Sequence, residues 1–318
     1  MPSTDVPAEP AGDGHPHTTS VQTTPSNRTY SEHLATAEKI LDIIDKYRFK
    51  GRPKINGESN PGQQCFLALI ADAVRGNRPV PMCLPAFPCK SPNTQTKVLG
   101  RLPDKGEALA LGHLNGLCAA IGTVHAPGAT LIIISDGLVY NDLLGVPDSH
   151  VWAYGEALRA LAAAHGATHV RFSRLRDLVR MPDDADADAD ELDEMRYVAN
   201  ATDFRRELLN RYGAPGYDAA RAVAENADTC LTYRGYQRFL QTDLAPVYPM
   251  GEGRSRSQFE KGVGYVAKQM LKRGDAFARA VQDKFGDHVR LSIHPSSVGD
   301  TKISISVLPT DSAVFTTP

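Results

Sequence analysis

The chain has 318 residues, of which 42% are hydrophobic and 23% charged, and its formal net charge is -2. This balance is typical of a soluble globular protein with a sizeable core, and it excludes a strong overall attraction to nucleic acid or to an anionic membrane. The five cysteines include no Cys-x-x-Cys pair, which favours reduced thiols in a cytoplasmic protein. No apolar run approaches the ~20 residues of a membrane helix, so we expect no membrane partner.

The amino-terminal part predicts a tail and two helices. Residues 1–28 are rich in Pro, Thr, Ser and Asp without an apolar signal-peptide core, which predicts a disordered tail before a single domain over 29–318. The spacing of apolar residues predicts a helix over 30–49, with Ser31 as its N-cap, and a second helix over 62–76.

The next segments alternate between strand and helix patterns. The run 80–87 is apolar but punctuated by prolines, which indicates a strand near a sheet edge. The aliphatic run within 129–140 indicates a buried parallel strand. Helices are predicted over 105–125 and 151–166, and a further strand at the start of 168–179.

The last part of the chain is predicted to be mostly helical over about 183–285. The acidic run 183–194 lacks the glycine and the final glutamate of a calcium loop, so a solvated connection is favoured. The remaining predicted elements are helices over 191–242 and 257–285 and strands over 289–295 and 302–309. The pattern predicts an α/β fold, with a Rossmann-like, mostly parallel sheet, helices on both faces and a largely helical insertion.

Ligands of such sheets bind outside the carboxyl ends of the strands, and a polar loop follows the strand 80–87. This loop, FPCKSPNTQTKVLGRLPDKGE (87–107), gathers cations and small hydrogen-bonding side chains before a helix. They are Lys90, Lys97, Arg101, Lys105, Ser91, Asn93, Thr94 and Thr96. Such a set suits a phosphate, although a solvated basic loop is the alternative. The sequence has no GxGxxG motif and no Walker loop, which weakens a Rossmann methyltransferase or P-loop interpretation.

Two other segments contain candidate functional groups. In SDGLVYND, Asp136 could act as an acid or base, or bind an amine, with Tyr140 and Asp142 assisting; a polar turn is the alternative. In GEGRSRSQF, the side chains of Arg254, Ser255 and Arg256 could hold an anionic group, or they could form an exposed loop before a helix.

A third candidate is the strand VRLSIHP. Its period of two places Arg290, Ser292 and His294 on one face. Three polar groups on an inner strand are costly to bury without a purpose, and a histidine there could move protons near neutral pH. A strand with one solvent-facing side is the alternative.

A metal site is not expected. His165 and His169 are four residues apart, but Gly166 is expected to end the helix between them, so their rings should not share a face. Cys89 is interpreted as a packed thiol because no base lies near it in the sequence.

Six segments, in this order, resemble the pyoverdine/dityrosine biosynthesis family: PCKSPN, KVLGRLPDKGE, PGATLIIISDGLVYNDLLGV, YRGYQRFLQTDL, RSRSQFEKGVGYVAKQMLKRG and VRLSIHPSS. This family includes PvcA-type isonitrile (isocyanide) synthases and DIT1-like spore-wall proteins. The resemblance runs from about residue 35 to the end, and it is specific because several rare strings agree in order.

The resemblance implies an enzyme of secondary metabolism. Such a synthase converts the α-amine of an aromatic amino acid, tyrosine or tryptophan, into an isonitrile, with ribulose 5-phosphate as the one-carbon donor. The amine attacks the C2 ketone, phosphate is eliminated, and carbon–carbon cleavage leaves the former C2 on nitrogen. The resemblance implies no cofactor and no metal, and a downstream Fe(II)/2-oxoglutarate oxygenase as a functional partner.

For the reaction that the resemblance implies, residue type and position suggest roles for these residues. The catalytic candidates are Asp136, His294, Lys90, Asp104 and Glu107. The candidates for binding phosphate or carboxylate are Lys90, Ser91, Lys97, Arg101, Arg254, Ser255, Arg256, Arg290 and Ser292. Which cluster binds phosphate and which binds carboxylate stays open.

The chain departs from the family pattern at its end. The pattern continues into Thr-Pro-Trp-His, whereas this sequence stops at Phe315-Thr316-Thr317-Pro318, so we expect either a truncation within that motif or a different tail. Two alternatives stay open: a DIT1-like enzyme that formylates tyrosine for a cell-wall precursor, and a non-catalytic protein that binds a phosphosugar or an amino acid.

Overall fold

A computed structural model of the chain describes residues 25–48, 61–135, 137–179, 193–244, 253–294 and 302–309. For residues 25–28 and 61–64 it describes the backbone alone. The helices are α1 (Pro25–Lys46), α2 (Pro61–Arg75), α3 (Lys105–Gly122), α4 (Asp148–Ala164), α5 (Leu175–Leu178), α6 (Glu194–Tyr212), α7 (Ala219–Glu225), α8 (Ala227–Asp243) and α9 (Arg256–Lys284). The strands are β1 (Val80–Pro85), β2 (Ala129–Ile134), β3 (Val170–Ser173), β4 (Val289–Ser292) and β5 (Ile303–Ser304).

The strands form one five-stranded sheet in the order β3-β2-β1-β4-β5, and all of the pairings between them are parallel. The aliphatic run of β2 lies beside the centre of this sheet, where both faces are covered. The predicted α/β fold with a mostly parallel sheet and helices on both faces is therefore confirmed.

The position of β1 differs from the prediction, because β1 is the central strand and not an edge strand. The amides of Val80 and Ala86 donate to Gly128 and Ile134 on the β2 side, so even-numbered amides of β1 point toward β2. Pro81 and Pro85 are odd-numbered, and their missing N–H groups lie on the side of β4. Because β4 pairs with β1 only from Met82 to Cys83, neither proline removes a hydrogen bond that the sheet uses.

Alternation along the strands creates two hydrophobic cores. On one face, residues such as Met82 and Leu131 pack with α1, α2, α3 and α4. On the other face, Cys83 and Ile134 pack with α5, α6, α8 and α9, the last three of which lie within the predicted helical portion. This second face matters for function, because β4 and β5 present polar side chains toward it.

Of two local predictions about helix ends, one is wrong and one is confirmed. The first helix begins at Pro25, where a proline suits the first turn, so Ser31 lies inside α1 and is not its N-cap. The fourth helix ends as predicted, with Gly166 in a left-handed conformation (φ 63°) just after the cap at His165. The acidic run is outside the described residues up to position 192, and the chain then leads into α6.

Candidate functional site

A lysine between two carboxylates lies beyond the carboxyl end of β1. Lys90 Nζ is 2.7 Å from Glu107 Oε2 and 3.0 Å from Asp104 Oδ2, and its side chain is 12% exposed. The start of α3 orients both acids: the Asp104 carboxylate accepts from the Gly106 amide at 2.8 Å, and the Asp104 amide donates to Glu107 at 2.9 Å. The helix start thus presents two carboxylates to one amine.

Glu107 has a further partner that fixes its second oxygen. The hydroxyl of Tyr154 in α4 donates to Glu107 Oε1 at 3.2 Å, and burial, followed by the charge of Glu107, raises the pKa of Tyr154 far above its usual range. Burial pushes the pKa of Asp104 upward, but hydrogen bonds from Gly106 and Lys90 outweigh it, so this pKa lies below its usual value. The cluster holds one cation and two anions, so it attracts a second ammonium group and repels a phosphate.

The rest of the loop is anchored to the end of α8. Ser91 Oγ donates to Asp243 Oδ1 at 2.9 Å, and Lys97 Nζ lies 3.7 Å from Asp243 Oδ2. The buried Asn93 side chain accepts from the amide of Thr96 at 3.0 Å and donates to its hydroxyl at 2.9 Å. Most of the small polar residues in the loop therefore stabilise its fold.

The chain that follows β2 contacts the same loop. Ser135 Oγ donates to the Phe87 carbonyl at 2.8 Å. Gly137 lies against Pro88, where an added Cβ would approach the carbonyl oxygen to 2.7 Å, so a glycine is required at this contact. Asp136 lies outside the described residues, and its catalytic role stays a prediction.

Two tyrosines meet beyond this turn. The hydroxyls of Tyr140 and Tyr236 are 3.5 Å apart, and burial raises the pKa of both. Gly274 of α9 makes room for them, since an added Cβ would come within 2.9 Å of the Tyr140 hydroxyl. Asp142 does not assist there, because Arg273 Nη2 donates to it at 2.8 Å.

An ion-pair network holds the segment after β2 against α6. Arg205, whose side chain is 10% exposed, donates to Asp148 Oδ1 at 2.9 Å and lies 3.9 Å from Asp142. Asn141 also donates to Asp148, at 2.7 Å. This network holds the segment that contains Tyr140. We therefore expect it to affect activity only indirectly, through the position of the two tyrosines.

Several predicted anion-binding residues lie away from Lys90. Ser255 is the N-cap of α9 and accepts from the Gln258 amide, while the exposed Arg256 forms an ion pair with Glu260 at 2.9 Å. Arg254 is exposed beside them. Arg101 contacts His150 on the surface. Within the described ranges, no hydrogen bond or ion pair joins these residues to the Lys90 cluster, although Arg101 and Asp104 line the same open surface cavity.

The predicted polar face of β4 is present for Arg290 and Ser292, whereas β4 ends at Ser292 and His294 follows the strand. Ser292 is buried and accepts from the His294 amide at 3.1 Å, Arg290 is half-buried, and His294 is exposed at the strand end. Burial, then the charge of Lys302, lowers the pKa of His294 although its ring reaches solvent, which is typical of a group in a concavity. The structure thus supplies a second polar cluster, on the α8–α9 face of the sheet.

Sequence analysis missed Tyr154, Asp243 and Lys302 as members of these clusters. Tyr154 and Asp243 lie in amphipathic helices and are 47 and 152 residues from their partners, so no local pattern could reveal the contacts. Lys302 could have been found, because KISIS repeats on β5 the alternation of VRLSIHP on β4.

Within the described ranges, no group of three or more His, Cys, Asp or Glu residues is arranged to hold a metal ion. A search of the same ranges found no helix with both the length and the apolar character required to cross a membrane.

Comparison with known proteins defines the class. The family profile described as pyoverdine/dityrosine biosynthesis protein matches residues 70–318. The crystal structure of the PvcA protein from Pseudomonas aeruginosa superposes with a TM-score of 0.74 at 31% identity, covering 86% of this chain and 84% of that one. The chain belongs to the pyoverdine/dityrosine biosynthesis family, as the sequence motifs indicated.

Its relatives include named isonitrile synthases. The chain is 45% identical to the isocyanide synthase xanB of Aspergillus fumigatus, over 89% of this chain but only 36% of that protein. It is 45% identical to the isocyanide synthase-NRPS hybrid crmA of the same fungus, of which it spans 18%. It is 33% identical to the L-tyrosine isonitrile synthase of Xenorhabdus nematophila, over 88% of this chain and 80% of that one.

Proposed function

We propose that this chain is an isonitrile synthase that acts on the α-amino group of tyrosine or tryptophan. The observation that carries the proposal is the partly buried cluster of Lys90, Asp104 and Glu107 beyond the carboxyl end of β1. It is found in a chain whose relatives include an L-tyrosine and an L-tryptophan isonitrile synthase, of each of which it spans 80%. An amine substrate matches the excess negative charge of this cluster.

We further propose ribulose 5-phosphate as the one-carbon donor. The substrate amine attacks its C2 ketone to form an imine, and proton removals eliminate phosphate. Cleavage of the C1–C2 and C2–C3 bonds then leaves C2 on the nitrogen, while C1 and C3–C5 depart as separate carbonyl compounds. The sugar ketone and the leaving phosphate supply the reactivity, so the proposed reaction needs neither a metal nor a redox cofactor. These steps need an acid and a base at fixed positions near neutral pH.

The Lys90 cluster is suited to those proton transfers. Lys90 and Glu107 share a contact of 2.7 Å, and Tyr154 fixes the other carboxylate oxygen, so a proton can be exchanged without a change of geometry. We assign Lys90 and Glu107 the acid and base roles and Asp104 a positioning role. His294, which follows β4, is proposed as an additional proton carrier, and so is Asp136, which lies outside the described residues.

The setting of the enzyme is also proposed. A cytoplasmic location fits the composition and the five free thiols, of which Cys83 and Cys118 are buried. A downstream Fe(II)/2-oxoglutarate oxygenase would consume the isonitrile. The larger fungal relatives are consistent with a domain that works beside other enzymes, since this chain matches only part of their length.

The test is a turnover assay. Purified protein is incubated with tyrosine or tryptophan, with and without ribulose 5-phosphate, and products are identified by mass spectrometry with phosphate release measured in parallel. We expect an isonitrile with one of the two amino acids, only when the sugar phosphate is present. Phosphate release without an isonitrile, or no reaction with either amino acid, would contradict the proposal.

A second candidate is a DIT1-like tyrosine-modifying enzyme. It is favoured by the match to the spore wall maturation protein DIT1 of Saccharomyces cerevisiae, at 32% identity over 71% of this chain. The same assay separates the two, because formylation leaves an N-formyl product whose mass exceeds that of the isonitrile by one water.

A further inference from the structure

Two cations lie side by side where β4 meets β5. Leu291 pairs with Ile303 and Ser292 with Ser304, so the preceding residues, Arg290 and Lys302, are neighbours on one face of the sheet. Leu291 and Ile303 belong to the core with α1, α2 and α3. The alternation therefore turns both cations to the opposite face, toward α8 and α9.

The adjacent positions of Arg290 and Lys302 are unfavourable unless an anion is bound between them. Like charges directly opposite each other on adjacent strands repel, and both side chains are half-buried. Burial lowers the pKa of Arg290, while burial and then the charge of Arg290 lower the pKa of Lys302. Two adjacent like charges indicate a binding role, because an anion bound between Arg290 and Lys302 would remove their repulsion.

The surrounding groups leave the two charges uncompensated. Arg290 Nη1 makes a long hydrogen bond of 3.4 Å to the Ala278 carbonyl, and no ion pair joins either cation to a carboxylate within the described ranges. Asp228 of α8 acts on Lys302 only as a more distant charge. The Cys83 thiol near Arg290 carries no charge at pH 7, because burial raises its pKa to about 12. Within the described ranges, neither Arg290 nor Lys302 is therefore neutralised by an ion pair, although the charge of Asp228 reaches Lys302.

A third polar group, His294, follows the carboxyl end of β4. His294 follows Ser292, and burial, then the charge of Lys302, lowers the pKa of its ring, so the ring lies within electrostatic range of this lysine. The His294 backbone is fixed by Ser292, which accepts from its amide at 3.1 Å, and by Ser304, which donates to its carbonyl at 2.8 Å. Two cations and a titratable donor thus converge near one place.

Helix α9 links this place to the tyrosine pair. The Ala278 carbonyl accepts a hydrogen bond from Arg290. Gly274 lies four residues earlier on the same face of α9, next to the hydroxyls of Tyr140 and Tyr236. Four residues correspond to about 6 Å along the helix. The point where Arg290 meets α9 is therefore about one helical turn from two partly buried hydroxyls that could bind a polyol.

We propose that Arg290 and Lys302, with His294, form the subsite for the phosphate group of the phosphosugar donor. This assignment rests on the proposed function. A phosphate monoester carries up to two negative charges, which match two cations, whereas a carboxylate would leave one cation unpaired. The Lys90 cluster, which has an excess of negative charge, is left to the amine.

The test combines binding with kinetics. Inorganic phosphate should raise the thermal midpoint of the wild-type protein by about 2–4 °C once it is well above its dissociation constant. This shift should be lost in Lys302→Gln, retained in Lys302→Arg, and enlarged in Asp228→Asn, which removes the competing carboxylate. Lys261→Gln, on an exposed part of α9, is the matched control and should behave as wild type.

Kinetics then identify the ligand. In Lys302→Gln we expect the KM for ribulose 5-phosphate to rise at least tenfold while the KM for the amino acid is unchanged. A rise confined to the amino acid would overturn the assignment, as would a Lys302→Gln protein that keeps both the phosphate shift and the sugar KM. If the wild-type protein shows the phosphate shift but no turnover with the sugar, the proposed function fails while the anion site stands.

Discussion

Lys90 and Glu107 are 17 residues apart and meet at 2.7 Å, with side chains that are only 12% and 10% exposed. A contact of this kind between two nearly buried charges is stable only because each has further partners: Asp104 for the lysine and Tyr154 for the glutamate. The relationship joins the loop after β1 to the start of α3 and to α4, and it is the centre of the proposed active site.

Replacing Glu107, the proposed base, should strongly slow turnover without unfolding the protein. Glu107→Gln keeps the shape and the contacts to Lys90 and Tyr154 but cannot accept a proton, so we expect kcat to fall by about 10²–10⁴-fold with a small change in KM. Steady-state kinetics with both substrates measure this. Asp203→Asn, which affects only an exposed ion pair with Arg206, is the control. A Glu107→Gln enzyme with wild-type kcat would remove Glu107 from the mechanism.

The charge of Asp104 should give a pH-dependent contribution to stability. Its pKa is lowered in the fold, so its ion pair stabilises the protein above the ordinary Asp pKa of about 4, and that contribution disappears as the pH falls through the lower folded value. Asp104→Asn keeps a good N-cap and removes the charge. We expect a loss of about 0.5–1 kcal/mol at pH 7, a modest value because the side chain is 36% exposed.

Urea unfolding at pH 7 and at pH 3 measures that difference, which should shrink at the lower pH. Asp193→Asn is the matched control, since Asp193 is the N-cap of α6 and accepts from the Arg196 amide at 2.8 Å. A difference between Asp104→Asn and wild type that grows on acidification would contradict the assigned direction.

The space at Gly274 should be required by the tyrosine pair. Gly274→Ala places a Cβ 2.9 Å from the Tyr140 hydroxyl and 3.5 Å from that of Tyr236. We expect a loss of about 1–3 kcal/mol from overpacking, despite the better helix propensity of alanine. Tyr140→Phe in the same protein should recover part of it, because it removes the clashing oxygen. Equilibrium unfolding of both single variants and the double variant tests this, and additive losses would show that the two positions do not interact.

Arg205 should be among the most sensitive positions outside the cores. Arg205→Met leaves Asp148, whose side chain is 22% exposed, and Asp142 without their shared cation. We expect a loss of about 2–4 kcal/mol in the free energy of unfolding. Arg211→Met removes only an i,i+4 pair on the surface of α6, and its loss should stay below about 0.5 kcal/mol. Equal losses in the two variants would mean that the network is not structural.

Sequence patterns predicted most of the fold because the signals were local. The aliphatic run of β2 and the apolar spacing of α1, α2 and α9 each depend on neighbouring residues alone. The position of β1 could not be predicted, since the tolerance for Pro81 and Pro85 depends on which neighbouring strand their missing amides would face. The start of α1 was missed because Ser31 resembles an N-cap, although the helix had already begun at Pro25.

Part of the candidate site was also predictable, because some of its residues lie close together in the sequence. Lys90, Asp104 and Glu107 lie in one polar loop and could be proposed together from sequence. Their balance of charge, with one cation between two carboxylates, is a property of the folded loop, and it is the reason that we propose an amine in place of a phosphate as its ligand. Partners supplied by distant helices, such as Tyr154 and Asp243, have no signature in an amphipathic pattern.

The most direct measurement traces the new bond. The protein is supplied with ribulose 5-phosphate carrying carbon-13 at C2 and with tyrosine or tryptophan carrying nitrogen-15 at the α-amine, and the product is examined by carbon-13 NMR. We predict a single labelled isonitrile carbon split by its directly bonded nitrogen-15. A product without carbon-13, a formyl carbon in place of the isonitrile, or no labelled product with either amino acid would contradict the account.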